Sequence, residues 1–271
     1  SGMDPGGAGA MFEVMQEASR AYGARPPEFL LTHPLTEKRI ADAKNRAQSY
    51  PKKIYPDNTE FQLMRARAEL SFFDDPKKAV QHFHDKRKKG GRFAVAAQYG
   101  WVLALTQNGE FAEARKLLKP MRSYAPYNLT YSLAEANIDI TAGSYDRAIN
   151  RLDYMLELTP GNHPTTMYLG EAYFRAGYYE KADKLLSAHS RVKPMDAQLW
   201  YMLAEVQGKA GNILGLHQSR AEYFALNGAM KQALQQLDLA LEKSTDDVTY
   251  ERIQTRKAYF QNIARALGQL K

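Results

Sequence analysis

A repeat of 34 residues runs through the chain and limits its possible folds more than any other feature. Four glycines recur at this spacing, and an aromatic residue, an alanine, a leucine and a proline each recur at the same step. The columns are Gly109, Gly143, Gly177 and Gly211; Phe111, Tyr145 and Tyr179; Ala114, Ala148 and Ala182; Leu118, Leu152 and Leu186; and Pro126, Pro160 and Pro194. Five columns that share one period predict a repeat array.

Each column has a physical role in a helical hairpin. The glycine ends the first helix in a left-handed conformation, which costs other residues more. The aromatic residue packs the second helix against the first, and the alanine lets the two helices approach closely. The proline ends the unit because it cannot continue a helix. This pattern resembles the tetratricopeptide (TPR) repeat, which implies an all-α, TPR-type helical-hairpin solenoid, or superhelix, with a short helical segment at the N-terminus.

The ends of the array are less regular than its middle. Upstream, 58–73 and 76–89 are predicted to form a degenerate helix pair. Downstream, Gly228 follows Gly211 by only 17 residues, so 213–226 is expected to belong to two successive units. Residues 249–267 are predicted to form a terminal capping helix. We therefore assign 54–271 to the array and 1–50 to a separate segment with helices at 4–22 and 35–48.

Composition excludes several classes of protein. The chain has 271 residues and no cysteine, which rules out disulfides, thiolate metal sites and cysteine nucleophiles. Its apolar runs are too short to cross a bilayer. The formal net charge is +7, but the basic residues are dispersed, apart from one cluster at 86–92. That cluster fits either a helix C-terminus, where cations complement the dipole, or a site for an anion or a membrane surface.

One segment before the array and one near its end resemble the same family. Residues 27–40 (PEFLLTHPLTEKRI), preceded by Met3-Asp4-Pro5 and Met11-Phe12, resemble the tail of the HExxH metallopeptidase domain of BepA-type periplasmic proteases. Residues 219–228 (SRAEYFALNG) and the later Ala233, Gln236-Leu237 and Ala240 resemble the end of the TPR array in those proteins. The resemblance implies that 1–50 is the incomplete tail of a metallopeptidase domain and that the chain is periplasmic.

No catalytic residue is assigned to this chain. None of its six histidines forms an HExxH motif, which needs two histidines four residues apart with a glutamate between them. The resemblance implies zinc in an intact parent protein but no cofactor here. His33 is the one candidate near that metal, in the intact parent only; alternatively, it caps the helix that begins at Pro34. His82 and His84 are interpreted as surface or packing residues.

The concave face of the array is the candidate functional surface. The groove positions of TPR first helices, placed on this sequence, predict seven partner-binding residues: Tyr99, Asn137, Glu171, Arg175, Tyr201, Glu205 and Lys209. They mix aromatic and charged groups, as peptide-binding surfaces do. A clamp for C-terminal carboxylates is not expected, because Leu133 and Ala134 stand where polar residues would be needed.

The sequence supports one functional hypothesis and leaves two others open. The first is the interaction module of a periplasmic zinc metalloprotease and chaperone in outer-membrane protein assembly and quality control. Its expected partners are unfolded or assembling outer-membrane proteins, their assembly machinery, and the protease domain of the parent. The alternative is a stand-alone TPR scaffold with no link to a protease. A basic solenoid that binds nucleic acid is the third, and its binding would be steeply salt-dependent.

Overall fold

A computed structural model of the chain describes residues 4–21, 37–51 and 58–268, and all regular structure within these ranges is α-helical. The all-α prediction is thereby confirmed. The described chain divides into two compact units, at Ser1–Thr59 and Glu60–Lys271. Its helices are α1 (Gly6–Ala21), α2 (Glu37–Gln48), α3 (Thr59–Leu70), α4 (Pro76–Lys88), α5 (Ala94–Gln107), α6 (Phe111–Tyr124), α7 (Leu129–Thr141), α8 (Tyr145–Leu158), α9 (His163–Arg175), α10 (Tyr179–Ser190), α11 (Ala197–Lys209), α12 (Ile213–Leu226), α13 (Met230–Glu242) and α14 (Asp247–Ala266).

The first unit contains α1 and α2, which contact each other. Lys44 on α2 forms an ion pair with Glu13 on α1. The guanidinium of Arg39 lies 5.9 Å from the centre of the Phe12 ring, and Ile40 is buried. In the described residues, the ends of both helices agree with the sequence prediction to within about two residues. Differences of this size are usual at helix ends. The assignment of this unit to a metallopeptidase tail remains a prediction.

Glycines end the first helix of each hairpin, as the repeat predicts. Gly109, Gly143, Gly177 and Gly211 have φ angles of 81°, 75°, 81° and 76°. At Gly143 the next residue closes the motif, because the amide of Ser144 donates to the carbonyl of Asp139 at 2.8 Å. This bond satisfies a carbonyl that the last helical turn leaves free. The predicted left-handed glycines are therefore confirmed.

The small-residue column lies at the contact between the two helices of each hairpin. Ala114, Ala148 and Ala182 are all 0% exposed, and the leucines four residues later are at most 2% exposed. The buried residues form a series of clusters, each shared by neighbouring helices and not by the whole array. Such a core is expected of a solenoid, in which each unit contacts mainly its neighbours.

The C-terminal end of the array also follows the sequence pattern. Helix α12 packs against both α11 and α13, so it serves two successive units, as its spacing predicts. Helix α14 contacts α13 and buries Ile253 and Phe260 in a cluster that includes Ala233 and Leu237. It thereby covers the apolar face that the last hairpin would otherwise expose.

We expect Ala182→Leu to lower the free energy of unfolding by roughly 1–3 kcal/mol, because the larger side chain overpacks the contact between α9 and α10. Urea denaturation followed by circular dichroism measures the change. Ala148→Leu should behave alike. The matched control is Ala188→Leu on the same helix α10, where the side chain is exposed. Equal midpoints for Ala182→Leu and Ala188→Leu would contradict the close approach at Ala182.

Candidate functional site

Five of the seven predicted groove residues lie on two neighbouring first helices. Glu171 and Arg175 are on α9, and Tyr201, Glu205 and Lys209 are on α11. Four of them line one cavity of about 560 Å³ between these helices, together with residues that the prediction did not include. We call this cavity the α9–α11 groove; its lining is Met167, Tyr168, Glu171, Phe174, Arg175, Gln198, Tyr201, Met202 and Glu205. Lys209 is exposed at the end of α11 and does not line the groove.

The groove combines an apolar lining with charged groups. Tyr201 is 47% exposed, and its ring centre lies 5.5 Å from that of Tyr223. Arg175 Nε donates to Glu171 Oε1 at 2.9 Å, and Arg220 lies 3.9 Å from Glu205. Exposed pairs of this kind contribute little to stability and are free to exchange partners. The arrangement suits a ligand that offers both apolar and charged groups, as a polypeptide segment does.

The sequence contained a signal for part of the lining that was missed. Tyr201 stands 34 residues after Met167, and Met202 stands 34 residues after Tyr168. The repeat step from the predicted Tyr201 would therefore have placed Met167 at the equivalent position of α9, and Tyr168 and Met202 follow these two residues in the chain. Methionine is flexible and polarisable, so it adapts to apolar side chains of different shapes. Phe174 and Gln198 have no such signal, since their groove exposure depends on how α9 and α11 pack.

The structure corrects the expectation for Tyr99, which is 0% exposed and does not line an open groove. Helix α3 explains its burial. Leu63, Ala66 and Leu70 of α3 are buried in the same cluster as Tyr99 and Leu103 of α5. The concave positions of α5 are therefore already occupied by a helix of the same chain.

Helix α3 also makes polar contacts with residues at α7 and α9. Glu60 at the start of α3 accepts a hydrogen bond from Thr130 Oγ1 at 2.8 Å, and it also contacts Asn128. Arg67 in the last turn of α3 donates to the hydroxyl of Tyr168, a residue of the α9–α11 groove. Helix α3 therefore covers the concave surface as far as α9, and the α9–α11 groove is the part that stays open to solvent. Asn137 on α7 is half-buried and does not line the α9–α11 groove.

Tyr99 lies in an apolar setting with polar groups nearby. Burial raises the pKa of Tyr99 to about 12, with Arg67 opposing that shift and Tyr168 and Glu60 adding to it. Its hydroxyl has no hydrogen-bond partner among the described residues. Tyr99 therefore stays neutral across the physiological range and acts as a core residue.

The basic cluster lies at a helix C-terminus, in agreement with the first of its two interpretations. Lys86, Arg87 and Lys88 form the last turn of α4. Lys86 Nζ donates to Glu69 at 2.5 and 2.7 Å, and Arg87 Nε donates to Gln98 at 3.1 Å. His82 and His84 are packing residues, against Phe83 and Trp101 respectively. Lys86, Arg87 and Lys88 complement the helix dipole, and the first two also join α4 to neighbouring helices.

A metal site is not found in the part of the chain that the structure describes, where no three His, Asp or Glu side chains are close enough to hold an ion. His33 lies outside the described residues, so its proposed place near zinc in a parent protein stays a prediction. No helix in the described part is long and apolar enough to cross a membrane.

We expect Tyr99→Phe to leave the free energy of unfolding unchanged or to raise it by about 1 kcal/mol, because it removes a buried hydroxyl that has no partner among the described residues. The control is Tyr173→Phe, which removes a half-buried hydroxyl that donates to Asp153 at 3.3 Å. That variant should lose about 0.5–1.5 kcal/mol in urea denaturation. A larger loss for Tyr99→Phe than for Tyr173→Phe would contradict the finding that the Tyr99 hydroxyl has no hydrogen-bond partner among the described residues.

Part of the repeat array matches a known repeat family. A tetratricopeptide repeat family model matches residues 139–206. Among solved structures, the chain resembles the TPR protein TTC0263 of Thermus thermophilus (21% identity, 59% of this chain and 95% of that one, TM-score 0.38). It also resembles a TPR protein of Parabacteroides merdae (12% identity, 91% of this chain and 98% of that one, TM-score 0.44).

Curated relatives share one name. The chain is 32% identical over 241 residues to the beta-barrel assembly-enhancing protease of Escherichia coli (strain K12), covering 89% of this chain and 49% of that protein. The Yersinia pestis protein of the same name is 30% identical, with 86% and 48% covered. The chain thus spans about half the length of these relatives. By sequence and fold, the chain is a tetratricopeptide-repeat chain homologous, over most of its own length, to the beta-barrel assembly-enhancing proteases.

Proposed function

We propose that this chain is the polypeptide-binding part of a periplasmic zinc metalloprotease and chaperone that acts in outer-membrane protein assembly and quality control. Its partners are unfolded or assembling β-barrel proteins and the machinery that inserts them. The α9–α11 groove is the contact site, and the observation that carries the proposal is the convergence of Tyr201, Glu171, Arg175 and Glu205 on one open cavity. The name of the relatives supplies the class of partner.

The chemistry of the groove supports a polypeptide as its ligand. Tyrosine and methionine offer large contact areas that accept many side chains, which suits substrates of varied sequence. The exposed pair of Glu171 and Arg175 can exchange partners and so pair with a charged side chain of the ligand. An unfolded β-barrel strand alternates apolar and polar side chains, so it matches this mixed lining.

The catalytic part of this proposal rests on the relatives and not on residues of this chain. Zinc and the HExxH helix belong to the preceding domain of a parent protein, and the array delivers polypeptides to it.

We expect Tyr201→Ala to weaken binding of an unfolded outer-membrane β-barrel protein by about tenfold, since it removes the most accessible aromatic side chain of the groove. Binding is measured by fluorescence anisotropy with the labelled β-barrel protein kept unfolded in dilute urea. The matched control is Tyr250→Ala on α14, because Tyr250 is similarly exposed (43%) but lies outside the groove.

The result is clear only if both variants keep the native circular dichroism spectrum. Under that condition, equal affinities for Tyr201→Ala and the unaltered chain exclude the α9–α11 groove as the contact site. Equal losses in Tyr201→Ala and Tyr250→Ala would instead indicate a general decrease in surface hydrophobicity.

The link to a protease is tested separately. We expect the gene that encodes this chain to encode an HExxH helix upstream of it, in the same reading frame. A complete reading frame without that motif would favour the alternative function, a stand-alone TPR scaffold. We expect purified full-length protein to cleave unfolded casein, in a reaction that a chelator blocks, only if the HExxH motif is present.

A further inference from the structure

A second cavity system lies on the helices that do not form the groove. Between α6 and α8, two adjoining cavities of about 470 and about 380 Å³ share Arg122 and Arg151 in their linings. We call the pair the arginine slot. Its first half is lined mainly by polar and charged side chains, and its second half mainly by apolar ones.

The first half carries an excess of positive charge. Arg115, Lys119, Arg122 and Arg151 line it, and Glu135 is the one acidic residue in its lining among the described residues. Glu135 lies 3.1 Å from Arg122 and 2.8 Å from Arg151, so it is shared by two guanidinium groups. The slot therefore has more cations than its own carboxylate can neutralise.

A buried carboxylate behind the slot does not remove this excess. Asp139 is 1% exposed and accepts a hydrogen bond from Arg115 at 2.6 Å. Arg151 and Arg147 approach it at 3.7 and 3.8 Å. Two carboxylates thus face five cations: Arg115, Lys119, Arg122, Arg147 and Arg151. In addition, Arg151 Nε has no hydrogen-bond partner among the described residues.

The second half exposes large apolar side chains around the same arginines. Tyr127, Tyr154 and Leu158 line it and are 92%, 60% and 57% exposed. Leu129 and Met155 lie in the same lining and are half-buried. Apolar side chains that are exposed next to each other in a concave surface usually mark an interaction site.

We propose that the arginine slot binds an extended polypeptide segment in which acidic side chains stand next to a large apolar side chain. The carboxylates would pair with the cationic half, where charge complementarity favours them, and the apolar side chain would enter the half lined by Tyr154 and Leu158. This site is separate from the α9–α11 groove, so the array offers two contact surfaces for polypeptides.

The concave shape of the slot favours a peptide over a membrane. A bilayer surface is broad and attracts basic side chains that project towards it, whereas the cations of the slot line a cavity between α6 and α8. A peptide backbone can instead bring its carboxylates past Glu135 to Arg115 and Lys119. The membrane remains as an outcome of the test.

The test uses the full chain and a fluorescein-labelled peptide of eight residues that contains two aspartates followed by a phenylalanine. Fluorescence anisotropy measures its affinity. A peptide with asparagines in place of the aspartates, and another with alanine in place of the phenylalanine, should each bind about tenfold more weakly. Equal affinities of all three peptides would overturn the proposal.

Two pairs of variants locate the binding site. Lys119→Glu places an acid in the cationic half, and Leu158→Asp places one in the apolar half; each should weaken the aspartate peptide about tenfold or more. Lys116→Glu is the charge-matched control for Lys119→Glu, because Lys116 is exposed on the same helix outside the slot. Tyr250→Ala should leave the affinity unchanged, because Tyr250 is an exposed aromatic residue on α14 that lines neither the arginine slot nor the α9–α11 groove.

Three further results would overturn the proposal. Equal losses for Lys119→Glu and Lys116→Glu would mean non-specific attraction by net charge. A loss in Tyr201→Ala equal to that in Leu158→Asp would place the peptide in the α9–α11 groove. Tight binding to vesicles of phosphatidylglycerol that Leu158→Asp abolishes, with no binding of the peptide, would assign the slot to a membrane surface.

Discussion

The close approach of paired helices at one alanine column is the constraint on which the array depends. A side chain larger than a methyl group at Ala114, Ala148 or Ala182 would separate the two helices, and the leucines behind them could then no longer reach a fully buried position. The left-handed glycine before each second helix turns the chain at the right residue for this contact. Both features repeat at the same step, so each hairpin presents the same two surfaces to its neighbours.

Repetition of one hairpin would by itself give a uniform groove, and α3 breaks that uniformity. It buries Tyr99 and Leu103 within the shared core and reaches Tyr168 through Arg67. The open part of the concave surface therefore begins at α9. The same repeat positions have different roles along the array: Tyr99 is a core residue, whereas Tyr201 is accessible to a partner.

The α9–α11 groove and the arginine slot suit different kinds of polypeptide segment. The α9–α11 groove pairs each of its charges with an opposite charge and offers methionine and tyrosine, so it suits segments of varied sequence. The arginine slot has unbalanced positive charge next to exposed apolar residues, so it favours acidic segments. An array with both surfaces can hold two parts of one extended chain, and two linked contacts bind more tightly than either contact alone.

The sequence by itself determined the helical hairpins, their turns, and the register of the small residues. These follow from local rules, because a left-handed turn needs Gly143 and a close helix contact needs Ala148 whatever the rest of the chain does. It also placed Glu171, Arg175, Tyr201 and Glu205 on one surface, since a fixed period puts equivalent residues on equivalent faces. Only the tertiary structure decided that α3 covers Tyr99 and that Arg122 of α6 lines one cavity with Tyr154 of α8. Each arrangement brings together helices of different units, so it depends on how whole units stack and not on any pattern within one unit.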